Sequence, residues 1–370
     1  MGIGELKNES EIDVMNQGGK ESDMRFGWLC SYTPIEILVA AGLIPTRLDA
    51  GDMFLSETNP YIYQLLCPYV RAVFGAAQKE RFDTLEGVAF MKCCDAMFRL
   101  YDLWKAHLPN QKAYILPLPK IQTKEARKYF ADAIGRFSDS LGRDLGVPIT
   151  EDALRKAISD MNKLRSAVQR LYRLRLEKPG SMAYSRLRLL IRQWLSRPPA
   201  QALIEVEKEL KNLEEEPAEA SPPSARVLVV SSTLDQLQII EMIEQAGMTV
   251  EADDHCSGLR HFDGLVREEG DLFLNLAERY LMRWPCSRMQ SDPSHFRRVI
   301  DEVDGTGAEG VIYVALKYCD NSSFDIPRIQ ALLKEKDIPM LYIENDYTAS
   351  GLAQLKVRIE AFAEMLREEL

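Results

Sequence analysis

Past a polar start, the chain alternates short apolar runs with stretches in which apolar residues recur every three or four positions. Residues 26–32, 87–91 and 112–118 read as strands, and 34–43 and 95–107 as helices. Pro34 falls in a first turn and Gly42 near a last turn, positions that suit each residue. From Thr123 to about Glu215 the strand-like runs cease, and helical periods fill 123–144, 150–177, 183–196 and 200–214. Thr150, followed by Glu151 and Asp152, predicts an N-cap with acids at the positive end of the helix dipole. Strands then return at 226–231, 248–252, 310–316 and 339–343, with helices at 235–246, 271–283, 293–303, 327–336 and 351–368.

Fully apolar strands separated by helices imply parallel sheets covered on both faces. The pattern therefore predicts an α/β fold of two Rossmann/flavodoxin-like parallel-sheet halves with a helical insert between them. In domain terms it reads as a polar tail (1–24), an N-terminal α/β domain (25–122), a helical segment (123–215), a Pro/Ala/Ser-rich linker (216–225) and a C-terminal α/β domain (226–370).

The two halves echo each other. Glu86-Gly-Val-Ala-Phe-Met-Lys-Cys-Cys-Asp95 resembles Glu309-Gly-Val-Ile-Tyr-Val-Ala-Leu-Lys-Tyr-Cys-Asp320, each running E-G-V, an apolar strand and K-x-C-D. Aligned on that ending, Cys94 pairs with Cys319 and Cys93 with Tyr318. Gly42-Leu-Ile-Pro45 and its strand give a fainter match to Asp337-Ile-Pro339. Ligand sites of open parallel sheets form beyond the carboxyl ends of strands, which is where both K-x-C-D cysteines fall.

Charge narrows the partners. The 46 Lys+Arg and 56 Asp+Glu leave a net charge of −10, a poor match for nucleic acid or an anionic membrane. No apolar run reaches transmembrane length, and the start carries no apolar secretory segment, so a cytoplasmic protein is expected. Seven cysteines in such a chain do not read as a disulfide framework. The basic residues of 163–193 read as a solvated helix face rather than an anion-docking face.

A single cysteine is usually a small buried hydrophobe. Here, though, Cys30 follows the first strand, Cys256 follows 248–253, Cys67 lies in the turn Leu66-Cys-Pro-Tyr69, and Cys286 follows Pro285. Six of the seven thus fall in loops or at strand ends, and Cys93 reads as the packing thiol. Paired zinc spacing is absent, and the four histidines are scattered. The close-spaced ferredoxin run is absent too. Soft thiolates gathered from distant loops still suit an iron–sulfur cluster. Gly305-Thr-Gly-Ala-Glu-Gly310 matches the dinucleotide fingerprint in letters only, since it follows a helix and precedes a strand. No P-loop is present.

Taken together, Cys30-Ser-Tyr-Thr-Pro-Ile-Glu36, Leu66-Cys-Pro-Tyr69, Lys92-Cys-Cys-Asp95, Asp253-Asp-His-Cys-Ser-Gly258, Tyr280 to Met289, Val311 to Asp320 and Ile343-Glu-Asn-Asp-Tyr347 give a familiar set. The chain resembles the 2-hydroxyacyl-CoA dehydratase / benzoyl-CoA reductase subunit family (the D-component superfamily) over almost its whole length past the tail. The resemblance implies a [4Fe–4S] cluster held by three cysteines, here Cys67, Cys94 and Cys319, with one iron open. It implies a paralogous second subunit in a heterodimer, an acyl-CoA substrate and a separate ATP-hydrolysing iron–sulfur activator, which fits the missing P-loop. The implied chemistry is a low-potential one-electron reduction of the thioester to a ketyl-type radical, leading to dehydration or ring reduction. The open iron can act as a Lewis acid, while the protein binds and orients.

Glu36 is a candidate proton-handling or substrate-orienting carboxylate, or simply a helix-start acid. Tyr32 is a candidate for lining the same pocket. Asp95 and Asp320 read as N-caps in preference to groups that support the cluster ligands, and His255 as a solvated loop histidine in preference to a hydrogen-bond donor near a cluster. The same superfamily includes homodimeric double-cubane proteins with an [8Fe–9S] centre, for which Cys30, Cys286 and Cys256 are the candidate additional ligands. A non-catalytic electron-relay subunit and an inert α/β ligand-binding module complete the readings left open.

Overall fold

The computed structural model describes residues 24–51, 53–55, 62, 64–215, 224–289 and 294–369. The tail expected at 1–24 and the linker expected at 216–225 lie almost wholly outside them.

The first sheet takes β1 (Arg25–Trp28), β2 (Ile44–Arg47), β3 (Leu85–Lys92) and β4 (Lys112–Pro117) in the order β2-β1-β3-β4. Helices α1 (Ile35–Ala40), α2 (Pro68–Gln78) and α3 (Asp95–His107) connect them. The insert follows as α4 (Lys124–Leu145), α5 (Glu151–Glu177), α6 (Tyr184–Trp194) and α7 (Pro199–Glu215). The second sheet takes β5 (Ala225–Ser231), β6 (Met248–Asp254), β7 (Gly310–Leu316) and β8 (Met340–Asn345) in the order β6-β5-β7-β8. Its helices are α8 (Leu237–Gln245), α9 (Leu259–Phe262), α10 (Leu272–Met282), α11 (Ser294–Thr306), α12 (Asp320–Lys334) and α13 (Ala349–Glu369).

All pairings are parallel, and the two sheets share one strand order. In that order the chain first steps one way from the opening strand, then crosses to its other side. Each sheet so has a switch point where loops part and leave a crevice at the strand ends. The E-G-V echo acquires a physical reason. A Cβ on Gly87 would lie 2.6 Å from the Lys112 carbonyl oxygen of the neighbouring strand. One on Gly310 would lie 3.0 Å from the Phe362 ring. Only glycine lets each strand sit that close.

The insert is a clamp rather than a spacer. α5 packs on α7 and α1, and α4 packs on α10, so insert helices touch both halves. One apolar core runs through both halves and the insert, while a smaller one lies between the second sheet and α11 and α12. Arg165 of α5 pairs with Glu36 of α1 at 2.5 Å, and the hydroxyl of Tyr280 on α10 donates to Glu36 at 2.8 Å. All three side chains are buried. No helix among the described residues is long and apolar enough to cross a membrane.

Several elements depart from expectation. β1 ends at Trp28, because the chain turns at Cys30, where the Thr33 amide bonds back to the Cys30 carbonyl at 2.9 Å. Cys67 does not sit in an isolated turn: it caps α2, with Pro68 at the first helical position. α12 begins at Asp320, well before the expected residue 327, and carries Pro327 inside it. Thr150 caps α5 as expected, its hydroxyl accepting from the Ala153 amide. The solvated face expected over 163–193 is corrected at three positions, since Arg165, Arg175 and Arg188 are buried.

Candidate metal centre at the strand ends

Cys67, Cys94 and Cys319 occupy one kind of position. Each is the N-cap residue of a helix that leaves the strand-end crevice: α2, α3 and α12 respectively. A helix N-terminus presents unpaired amides and a partial positive charge, which favours a thiolate over a thiol. This corrects the reading of Asp95 and Asp320 as caps, because each is the first helical residue and the cysteine before it is the cap. Tyr318, beside Cys319, is held at φ +61°, a left-handed conformation unusual for a non-glycine residue.

The three sulfurs meet at a cavity of about 90 Å³. Cys30, Cys93 and Cys256 line it as well, together with Arg47 and Arg288. Six thiols thus converge on one buried space, and all seven cysteines are free. Cys286 does not line the cavity; its amide donates to the Tyr32 hydroxyl at 3.3 Å just behind the wall. Cys93, expected to be a packing thiol, hydrogen-bonds to both Cys30 and Cys94.

The thiols are in electrostatic conflict. Burial, then the neighbouring Cys319 and Cys94, push the Cys67 thiol up to about 12, against the pull of the Val70 and Tyr69 amides. The Cys93 hydrogen bond, with Arg288 and the Met97 amide, pulls Cys94 well below the ordinary thiol value. A hydrogen bond from Cys93 and the nearby Arg288 likewise hold Cys30 at about 7 despite its burial. Those two hydrogen bonds drive Cys93 itself well above the usual value. Crowded thiols resist ionising together. A bound metal removes that conflict by taking all of its ligands as thiolates.

Among the described residues, no three His, Cys, Asp or Glu side chains are arranged around a single metal ion. A cubane asks for something different, since its ligands attach to separate irons at separate corners. An all-sulfur set spread round a small closed space fits such a cluster. Among the described residues no histidine lines that space, and although Asp95 and Asp320 do, sulfur is the dominant donor, which favours softer metals.

Cys94 has a second exposure. It also lines an open groove of about 370 Å³ with Lys92, Phe98, Pro117, Lys120 and Tyr129. Cys94 and Asp95 thus lie where the cavity and the groove adjoin.

Glu36 and Tyr32 are not brought to the cavity wall. Burial alone pushes the Glu36 carboxyl up, but Arg165 and Arg279 outweigh it and hold the group below the usual carboxylate range. Glu36 is thus an ionised carboxylate in an ion pair between α1 and α5. Tyr32 is buried under the Arg283 guanidinium, 4.5 Å from its ring centroid, and supports the Cys286 loop through its hydroxyl. His255, expected to be a solvated loop residue, is fully buried, with Nε2 3.1 Å from the Tyr184 hydroxyl and Nδ1 3.3 Å from Ser257. Its desolvation, with Arg188, Arg260 and Arg47 nearby, keeps it neutral.

Arg47 and Arg288 carry almost no signal in the sequence. Arg47 ends an apolar strand, where a buried guanidinium has no pattern of its own; its partner Asp235, 2.8 Å away, is 188 residues on. Arg288 lies two residues past Cys286, and that adjacency is its one clue.

The sequence profile of one family, described as 2-hydroxyglutaryl-CoA dehydratase, D-component, matches residues 30–366. The chain is 24% identical over 358 residues to the (R)-phenyllactyl-CoA dehydratase beta subunit of Clostridium sporogenes, covering 95% of this chain and 93% of that one. It is 24% identical to a benzoyl-CoA reductase subunit of Thauera aromatica, covering 91% and 89%. It is also 24% identical to the beta subunit of (R)-2-hydroxyglutaryl-CoA dehydratase of Acidaminococcus fermentans, covering 92% of each.

Proposed function

The chain belongs to the 2-hydroxyglutaryl-CoA dehydratase D-component family, and from that premise we propose that it is the iron–sulfur subunit of an acyl-CoA dehydratase or benzoyl-CoA reductase type enzyme. The observation that carries this reading is the convergence of the Cys67, Cys94 and Cys319 helix caps on one buried cavity. Those three residues hold a [4Fe–4S] cluster. When bound, the cluster supplies single electrons at low potential and a Lewis-acidic iron.

The chain's own residues do the rest. The three N-caps hold the sulfurs at the cavity, and the Val70, Tyr69 and Met97 amides act in favour of the ionised form at Cys67 and Cys94. The apolar wall of Leu29, Val70 and Leu316 keeps water from the cavity. The groove beside Cys94 admits a substrate arm, and Lys92 and Lys120, set against the one carboxylate of Asp95, leave its lining with a net positive charge on an otherwise acidic chain. The relatives are themselves named as subunits, two of them as beta subunits, which supports a paralogous partner. An ATP-hydrolysing iron–sulfur activator completes the system, and the cytoplasm is its compartment. Substrate addition tests the reading. Anaerobically loaded protein with its partner subunit should change its electron paramagnetic resonance spectrum on adding a 2-hydroxyacyl-CoA or benzoyl-CoA. A cluster signal indifferent to every such thioester would reduce this subunit to an electron relay.

A second reading has its own support. Cys30 and Cys256 line the same cavity, and Cys286 lies directly behind it. Cys30, Cys67 and Cys94 come from the first half, and Cys256, Cys286 and Cys319 from the second. Three thiols from each half suit an [8Fe–9S] double cubane acting on small molecules. Iron analysis separates the two, with about four irons per chain for the single cluster and about eight for the double one.

A further inference from the structure

The buried arginines of this protein are balanced by acids or by backbone carbonyls. Arg47 meets Asp235, Arg165 meets Glu36 and Arg260 meets Asp254. Arg175 and Arg279 end on carbonyl oxygens. Arg288, which is half-buried, follows a different rule. It lines the thiol cavity together with Asp95 and Asp320, yet among the described residues no carboxylate lies within ion-pair distance of it. Its contact is a hydrogen bond to Cys94, and it faces Cys93, Cys319 and Cys286.

A guanidinium keeps its proton in proteins, so this charge is permanent. A charge drawn partly out of water without a counter-charge carries a cost. Neutral thiols supply none, whereas thiolates held as cluster ligands do. Arg288 is therefore matched to sulfur in its thiolate form, the form in which a cluster takes its ligands.

We propose that Arg288 is the counter-cation of the thiol cavity, a positioning residue that offsets the negative charge of a bound cluster and raises its reduction potential. The inference rests on the reading that the cavity holds an iron–sulfur cluster. The redox step is simple: one electron passes from an external low-potential donor to the cluster, with no bond made or broken. The added negative charge is stabilised by a guanidinium hydrogen-bonded to a ligand sulfur, and net charge and hydrogen bonds to sulfur are what set such potentials.

The test is an anaerobic redox titration of the full-length protein, with a titanium(III) chelate as reductant. The cluster is followed by electron paramagnetic resonance, and iron and sulfide are counted alongside. Arg288→Gln should keep its iron but lose at least tenfold in the equilibrium constant for reduction, a shift of about 59 mV to lower potential for a one-electron couple. Arg288→Lys, which keeps the charge but not the planar fork, should recover most of that loss. A glutamine variant with full iron and the parent potential would overturn the proposal. Should the glutamine variant fold but bind no iron, loading of the lysine variant would uphold the role of charge. Equal failure of both would overturn it. If the parent chain binds no iron, it is the cluster reading that fails, an outcome plainly distinct from a changed or unchanged potential.

Discussion

The two sheet halves share a strand order and differ in what they place at the strand ends. In the first half, the loops after β1 and β3 and the cap of α2 present sulfur, with Cys30, Cys67, Cys93 and Cys94 at one edge. In the second, the end of β6 and the loops after β5 and β6 carry a dense polar network. Asp235 binds Arg47, Asp253 accepts from the Tyr172 hydroxyl at 2.5 Å, and His255 sits between Tyr184 and Ser257. The same topology so serves two purposes: one half mainly presents thiols, while the other also supplies polar contacts to the first half, through Arg47, and to the insert, through Tyr172 and Tyr184. Neither holds the three capping cysteines alone, since Cys67 and Cys94 belong to the first and Cys319 to the second. The site is a property of the docked pair.

That contrast can be broken at graded strength. The largest effect is expected at the caps. Cys94→Ser should abolish iron binding, read as loss of iron and sulfide after anaerobic purification, although Cys94 and Cys93 are neighbours in sequence. Next comes the clamp. Glu36→Ala leaves Arg165 buried without its carboxylate, and breaking such a pair costs about 3–5 kcal/mol. Denaturant unfolding of the full chain should show that loss, with the iron site failing along with the interface.

A smaller effect distinguishes the charge of Glu36 from its shape. The folded-state carboxyl is held below its unfolded value, which is about 4.3. Its contribution is therefore complete above that value and fades as pH falls through the lower folded value. Glu36→Gln should be less stable than the parent at neutral pH, and the gap should narrow in acid below about pH 4. A gap constant with pH would mean that the pair acts by packing alone. The smallest effect is expected from Cys93→Ser, which keeps a hydrogen-bonding group between Cys30 and Cys94 and should retain the iron, with only a changed spectrum.

Much of the fold was legible because its strands are apolar on both faces, and that run length is a sequence signal in itself. The Cys94–Cys319 equivalence was legible for a related reason: it rides on a repeat whose glycines are fixed by close strand and ring contacts at Gly87 and Gly310. What escaped depends on distant partners. The burial of Arg165, Arg175 and Arg188 is decided by Glu36, by the Val250 carbonyl and by Ser257. His255 looked solvated because nothing near it in sequence announces Tyr184. The missed helix α2 is a different case. Pro68 directly after Cys67 was a readable start signal, and the turn-like Leu66-Cys-Pro-Tyr69 obscured it.

The central claim is that one iron–sulfur site is built from both halves. It is tested most directly by the iron and acid-labile sulfide bound to anaerobically purified Cys319→Ser, compared with the parent chain. The account predicts about four or more irons per parent chain and essentially none in the variant, because the second half then withdraws its capping ligand. Full iron retention in Cys319→Ser, or no iron in the parent, would contradict it.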